Sequence, residues 1–148
     1  MILRFQAFLT GMTECYKFIQ RIKNAEMTEF GLKGTHVACM FFLHHNPEGL
    51  TASQLCQLCA EDKANISRMV ADLRQRGFIR QPLGKNYRKP LYLTESGKAL
   101  AARMDSLIES WVTIGGEGLT EDQRLTFYHS LSLISDNLRE KVLQQSSL

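Results

Sequence analysis

Three groups of residues in this sequence have the types and spacing to do chemistry. Cys56 and Cys59 form a C-x-x-C pair, the spacing of a redox dithiol or of half a zinc site. His44 and His45 are two potential metal ligands side by side. The stretch "DKANISRMVADLRQRGFIR", residues 62–80, sets Lys63, Asn65, Ser67, Arg68, Arg74, Arg76 and Arg80 around an apolar helical rhythm. Such a basic and amide-bearing surface is suited to phosphates and base edges.

The first two groups lead nowhere further. No second C-x-x-C and no βαβ pattern accompany the thiol pair, and helical spacing puts both thiols on one face with Leu55, where a free cysteine packs as a small hydrophobe. Adjacent histidines on a helix point about 100° apart and do not chelate together. His129 has no ligand-type neighbour. We therefore expect no metal and no cofactor. There is no Gly-rich phosphate loop, nucleophile elbow or zinc-protease motif, so no enzyme is expected either.

The third group repays a closer look. At helical periodicity Ile66, Met69, Val70 and Leu73 fall on one narrow arc and should face a core. The opposite face carries Ala64, Arg68, Ala71 and Gln75, flanked by Asn65 and Ser67. Small residues there let a backbone approach a surface closely. Arg68 has the donor geometry for guanine, Asn65 that for adenine, and Ser67 can bond base or phosphate. Residues 61–103 hold ten Lys or Arg against four Asp or Glu, a net of +6, whereas the rest of the chain is at −3. Segregation of this kind is an electrostatic footprint for phosphates. It argues against the alternative of a winged helix used only for protein contact.

The elements that must hold this helix are legible from periodicity and punctuation. Phe5, Phe8, Leu9, Met12, Tyr16, Ile19 and Ile22 mark a long amphipathic first helix, and "THVACMFFLHH" a second, stopped by "NPEG". Thr51 with Gln54 reads as a capping box that opens a third. Asp62 caps the basic helix and Gly77 ends it. "FIRQP" and "PLYLT" then read as two short strands of a hairpin with a basic tip, carrying Lys85, Asn86, Arg88 and Lys89. Thr94 caps a long helix, "GGEG" (115–118) breaks it, and Thr120 with Gln123 caps the last. Helix, helix, helix–turn–helix, hairpin, helix, helix is a mainly α fold with a small β-hairpin wing: a winged helix–turn–helix between longer helices. With 148 residues, 44% of them apolar, one domain is expected. No apolar run approaches a membrane span, and "MILRFQAFLTGM" lacks the features of a signal peptide, so a cytoplasmic protein is expected.

Over residues 50–98 the sequence resembles the MarR family of winged-helix transcription regulators, most sharply in "LTASQL", "DKANISRMVADLRQRGFI" and "LYLTESG". The resemblance implies a homodimer whose terminal helices interlock, and two recognition helices reading the half-sites of a pseudo-palindrome. Residues 1–32 and 100–148 would be the dimerisation helices and residues 33–99 the DNA-binding core. Lys63, Asn65, Ser67 and Arg68 would then contact double-stranded DNA in the major groove and Arg88 the minor groove. Thr51, Ser53, Ala64, Arg74, Lys85, Asn86 and Lys89 complete the expected interface. The family also places small aromatic or phenolic effectors in a crevice, here Tyr16, His36, Met40 and Trp111, where plain core packing is the alternative. Cys15 lies in the helix that carries a reactive thiol in peroxide-sensing members, which leaves a redox-sensing regulator as another alternative. The expected function is a repressor released by a small ligand. Three positions depart from the family pattern: the wing lacks an Asp before Arg88, Ala60 stands where Gly is frequent, and Glu61 where an apolar residue is usual.

Overall fold

Capping chemistry sets the frame of the fold. The computed structural model describes residues 1–81 and 89–146. In it, α1 spans Ile2–Met27, α2 His36–His44, α3 Ala52–Cys59, α4 Lys63–Gln75, β1 Ile79–Arg80, β2 Tyr92–Leu93, α5 Glu95–Gly115 and α6 Glu121–Ser146, with a 3-10 turn at Thr28–Phe30. Thr51 closes the expected capping box, its Oγ1 accepting from Gln54 N–H while Thr51 N–H donates to Gln54 Oε1. Asp62 Oδ1 accepts from Asn65 N–H at 2.8 Å and starts α4. Because α3 and α4 are each nucleated by their own cap, the turn between them need supply only direction.

That turn is made by Ala60, at φ 52° and ψ 41°. Left-handed geometry crowds a Cβ against the backbone, so the expected departure from glycine does cost stability here. Replacing Ala60 by glycine should raise stability by about 0.5–1 kcal/mol. A urea midpoint that rises at unchanged m-value is the expected result. A midpoint that falls would mean that chain entropy outweighs the relief of strain.

By internal contacts the chain forms two compact units, Met1–Ser106 and Leu107–Leu148. In the first, α2 packs on α3, α4 and β2, and α3 on α4. Met27, Met40, Leu55, Ile66, Leu73, Leu91 and Met104 are the largest fully buried side chains. All four residues expected on the inner face of the basic helix are buried. β1 and β2 pair antiparallel, Ile79 opposite Leu93 and Arg80 opposite Tyr92, and Leu50 adds a bridge to Leu91. In the second unit, Gly118 at φ 81° turns the chain, Thr120 and Gln123 form the second capping box, and Arg124 donates to Gly116 O at 3.0 Å. Among the described residues no helix is long and apolar enough to cross a membrane.

Candidate nucleic-acid interface

With Ile66, Met69, Val70 and Leu73 turned inward, the outer face of α4 is fixed by helical geometry. Lys63, Ala64, Ser67, Arg68 and Arg74 are exposed and Asn65 is half-buried. Four of the expected DNA contacts also do structural work in the free protein. Asn65 Nδ2 donates to Glu61 Oε2 at 3.0 Å, and Arg68 Nη2 donates to Asn65 Oδ1. Arg74 Nη2 donates to Gln81 Oε1 at 2.7 Å, and Gln81 Nε2 donates to Lys89 O at 3.1 Å. Arg74 and Lys89 are thereby tied to the base of the wing, whose strands are further clasped by the Arg80 guanidinium 4.9 Å over the Tyr92 ring. Ser53 is exposed on α3 and Thr51 is half-buried as its cap. Lys85, Asn86 and Arg88 lie outside the described residues.

Behind α4 a polar network braces the helix against the fold. His36, at the start of α2, is 3% exposed. Its Nδ1 accepts from Lys33 N–H at 3.0 Å, which leaves the neutral ring its proton on Nε2, 3.1 Å from Asp72 Oδ2. Asp72 also pairs with Arg76 at 3.0 Å. Burial pushes the His36 pKa down, the Asp72 carboxylate opposing and the charges of Arg76 and Lys33 adding to the shift. Nothing in the sequence pointed to the His36–Asp72 contact, which joins residues 36 positions apart. The i,i+4 spacings Glu61–Asn65 and Asp72–Arg76 are local signals in the sequence for the two other contacts. Lys33, His36, Glu61, Arg68, Asp72 and Arg76 contribute to the lining of a cleft of about 520 Å³ beside the helix.

The remaining candidates fall elsewhere. Of the expected effector residues, His36 and Met40 are buried in the first unit, Tyr16 is exposed on α1, and Trp111 belongs to the second unit. Cys15 is exposed on α1 and Cys39 is buried. Burial first, then the Glu61 carboxylate and Cys56, push the Cys59 thiol up to about 11, and burial raises Cys39 further. Neither is a thiolate nucleophile near neutrality. His44 and His45 both reach Asp105 Oδ2, at 3.6 and 3.1 Å. The second does so because His45 is the C-cap of α2 and so is freed from helical direction. Among the described residues no group of three or more His, Cys, Asp or Glu side chains is placed to hold a metal ion.

Comparison with known proteins agrees with this geometry. Residues 30–86 match a model of the MarR family. The fold is shared with a MarR transcriptional regulator from Methanosarcina mazei Go1, at TM-score 0.78, 19% identity and 91% coverage of each chain. It is shared with a MarR family transcriptional regulator from Listeria monocytogenes complexed with 26mer DNA, at TM-score 0.79 and 20% identity, over 90% of this chain and 89% of that one. It is also shared with S. aureus MepR in a complex with DNA, at TM-score 0.75 and 17% identity, over 89% and 95%. No curated protein matches the sequence.

Proposed function

We propose, for a chain whose residues 30–86 match the MarR family and whose fold is that of MarR winged-helix regulators, that it is a DNA-binding transcription regulator. The observation that carries this reading is the outer face of α4. It exposes Lys63, Ala64, Ser67 and Arg68 on a helix held from behind by its core residues and by His36, in the part of the chain with net charge +6. In a helix–turn–helix that second helix enters the major groove, with Asn65 and Arg68 at base edges and Ser67 and Lys63 at phosphates. Thr51 and Ser53 approach the backbone from α3, and Lys85, Asn86, Arg88 and Lys89 reach it from the wing.

The acting form in this reading is a homodimer. Phe5, Leu9, Tyr16 and Ile19 are exposed at helical spacing on α1, and Phe127, Ile134 and Leu138 on α6. Monomers rarely leave so much apolar surface in water, and a second copy related by a two-fold axis covers such faces while matching a pseudo-palindromic operator. Residues 1–32 and 100–148 dimerise and residues 33–99 bind DNA. The protein acts as a cytoplasmic repressor released by a small aromatic or phenolic effector. Of the expected effector residues Tyr16, His36, Met40 and Trp111, His36 borders the cleft beside Arg68. A ligand seated there shifts the population away from the DNA-competent arrangement.

The test is fluorescence anisotropy with DNA from upstream of the protein's own gene and with a library of genomic fragments, at several salt concentrations. A site-selective, steeply salt-dependent complex is expected. Arg68→Ala should lose about 1–3 kcal/mol at the cognate site and far less on unrelated DNA. Binding that is equally weak on every fragment, and indifferent to Arg68, would sink the reading.

A further inference from the structure

A carboxylate at the entry of a helix meant for phosphates repels its own ligand, so Glu61 calls for an explanation. Glu61 Oε2 accepts from Asn65 Nδ2 at 3.0 Å, one helical turn on. That bond decides which way the Asn65 amide faces. Its oxygen is turned toward Arg68, whose Nη2 donates to it. The half-buried Glu61 carboxylate also favours the charged form of Lys23 on α1, which burial disfavours. Taken singly, such helix-surface contacts are worth only about 0.2–0.5 kcal/mol. In series they restrict a long side chain that would otherwise sample many rotamers. Arg68 spends a donor on Asn65 and keeps the rest of its five N–H groups for an acceptor pair such as guanine O6 and N7.

We infer that Glu61 is a specificity-determining residue: through Asn65 it holds Arg68 in the one orientation that reads a guanine edge, at a cost in attraction for phosphates. The inference rests on the DNA-binding reading and refines it. It also explains the departure from the family pattern at this position, where an apolar residue is usual.

Two effects of opposite sign separate this role from that of an ordinary surface acid. Glu61→Ala removes both the charge and the acceptor, so affinity for any DNA should rise while preference among sequences falls. Glu61→Gln removes the charge but keeps an acceptor oxygen for Asn65, so affinity should rise and preference should stay. Glu61→Leu is a second acceptor-free variant, with the residue type usual at this position, and decides the matter if Glu61→Ala does not fold.

Parent and variants are each used to select duplexes from a randomised pool, and the bound fraction is sequenced. Anisotropy on one unselected duplex reports general affinity, and circular dichroism reports folding. The parent and Glu61→Gln should enrich guanine at the same position of each half-site. Glu61→Ala and Glu61→Leu should lose that preference by about tenfold or more, the range that one bidentate base contact supplies. Acceptor-free variants that keep the parent's guanine preference overturn the inference and leave the DNA-binding reading intact. A parent that enriches no sequence overturns that reading, and the inference with it.

Discussion

Gly97→Ala is expected to cost about 3 kcal/mol, from an overpacked methyl and the hydrogen bonds it strains. A Cβ on Gly97 would stand 2.1 Å from Phe78 O and 3.0 Å from Phe78 C. Both are backbone atoms, so no rotamer change relieves the clash. The same region is stitched together by hydrogen bonds: Thr94 N–H donates to Phe78 O at 3.0 Å, Thr94 Oγ1–H to Gly77 O at 2.6 Å, and Gly97 N–H to Thr94 Oγ1 at 3.1 Å. The first turn of α5 thus lies directly on the chain that leaves α4 and enters β1. A methyl there must push α5 outward and stretch these bonds together.

The melting temperature should fall by roughly 6–12 °C, given about 2–4 °C per kcal/mol for a chain of this size. Gly115→Ala is the control: nothing lies within 4 Å of its added Cβ. It should move stability by no more than about 0.5 kcal/mol. Because β2 ends at Leu93, just before this junction, the displaced α5 should carry the wing with it, and under the proposed function this weakens DNA binding beyond what lost stability explains. A Gly97→Ala protein as stable as the parent would mean that α5 does not lie against Phe78 at all.

Gly97 also shows where reading the sequence stops. "LYLTESG" was legible as a strand followed by a capped helix, and Thr94 does cap α5. That the glycine is demanded by a carbonyl 19 residues earlier was not, because the approach is a tertiary distance with no local signal. The same division holds along the chain. Both capping boxes, the Asp62 cap and the inward arc of α4 depend on residues within a turn or two of one another, and each formed as expected. The outward face of α4 followed with them, so the residues exposed on that face could be read from the sequence. What the sequence withheld are contacts between elements: His36 with Asp72, and His44 and His45 with Asp105. The histidine pair converges on Asp105 for a local reason: helical direction holds for His44 but not for His45, which lies past the end of α2.

His36→Ala tests the most consequential of the contacts that the sequence withheld. The substitution removes the acceptor of Lys33 N–H and the Nε2 partner of Asp72 Oδ2, and it leaves a cavity in a site that was 3% exposed. At pH 8 a loss of about 3 kcal/mol is expected from an orphaned donor, a carboxylate stripped of one partner and lost packing. That loss should shrink in acid. The His36 pKa is lowered in the folded protein, chiefly by burial, and a proton can be added only at Nδ1, where Lys33 N–H already donates. In the unfolded chain the ring titrates near its ordinary value of about 6.5. Between the lowered folded value and that ordinary one, the unfolded state binds more protons, so stability rises with pH. The contribution is complete above about pH 6.5 and is lost as pH falls toward the folded value. Urea unfolding of parent and variant at pH 8, 6 and 5 measures the gap directly, and titrations common to both proteins cancel in the difference. A gap that narrows toward pH 5 identifies a neutral buried imidazole bracing α4 through Asp72. A gap that widens would mean that the imidazolium–Asp72 ion pair outweighs burial, and α4 would then be held more firmly in acid than at neutral pH.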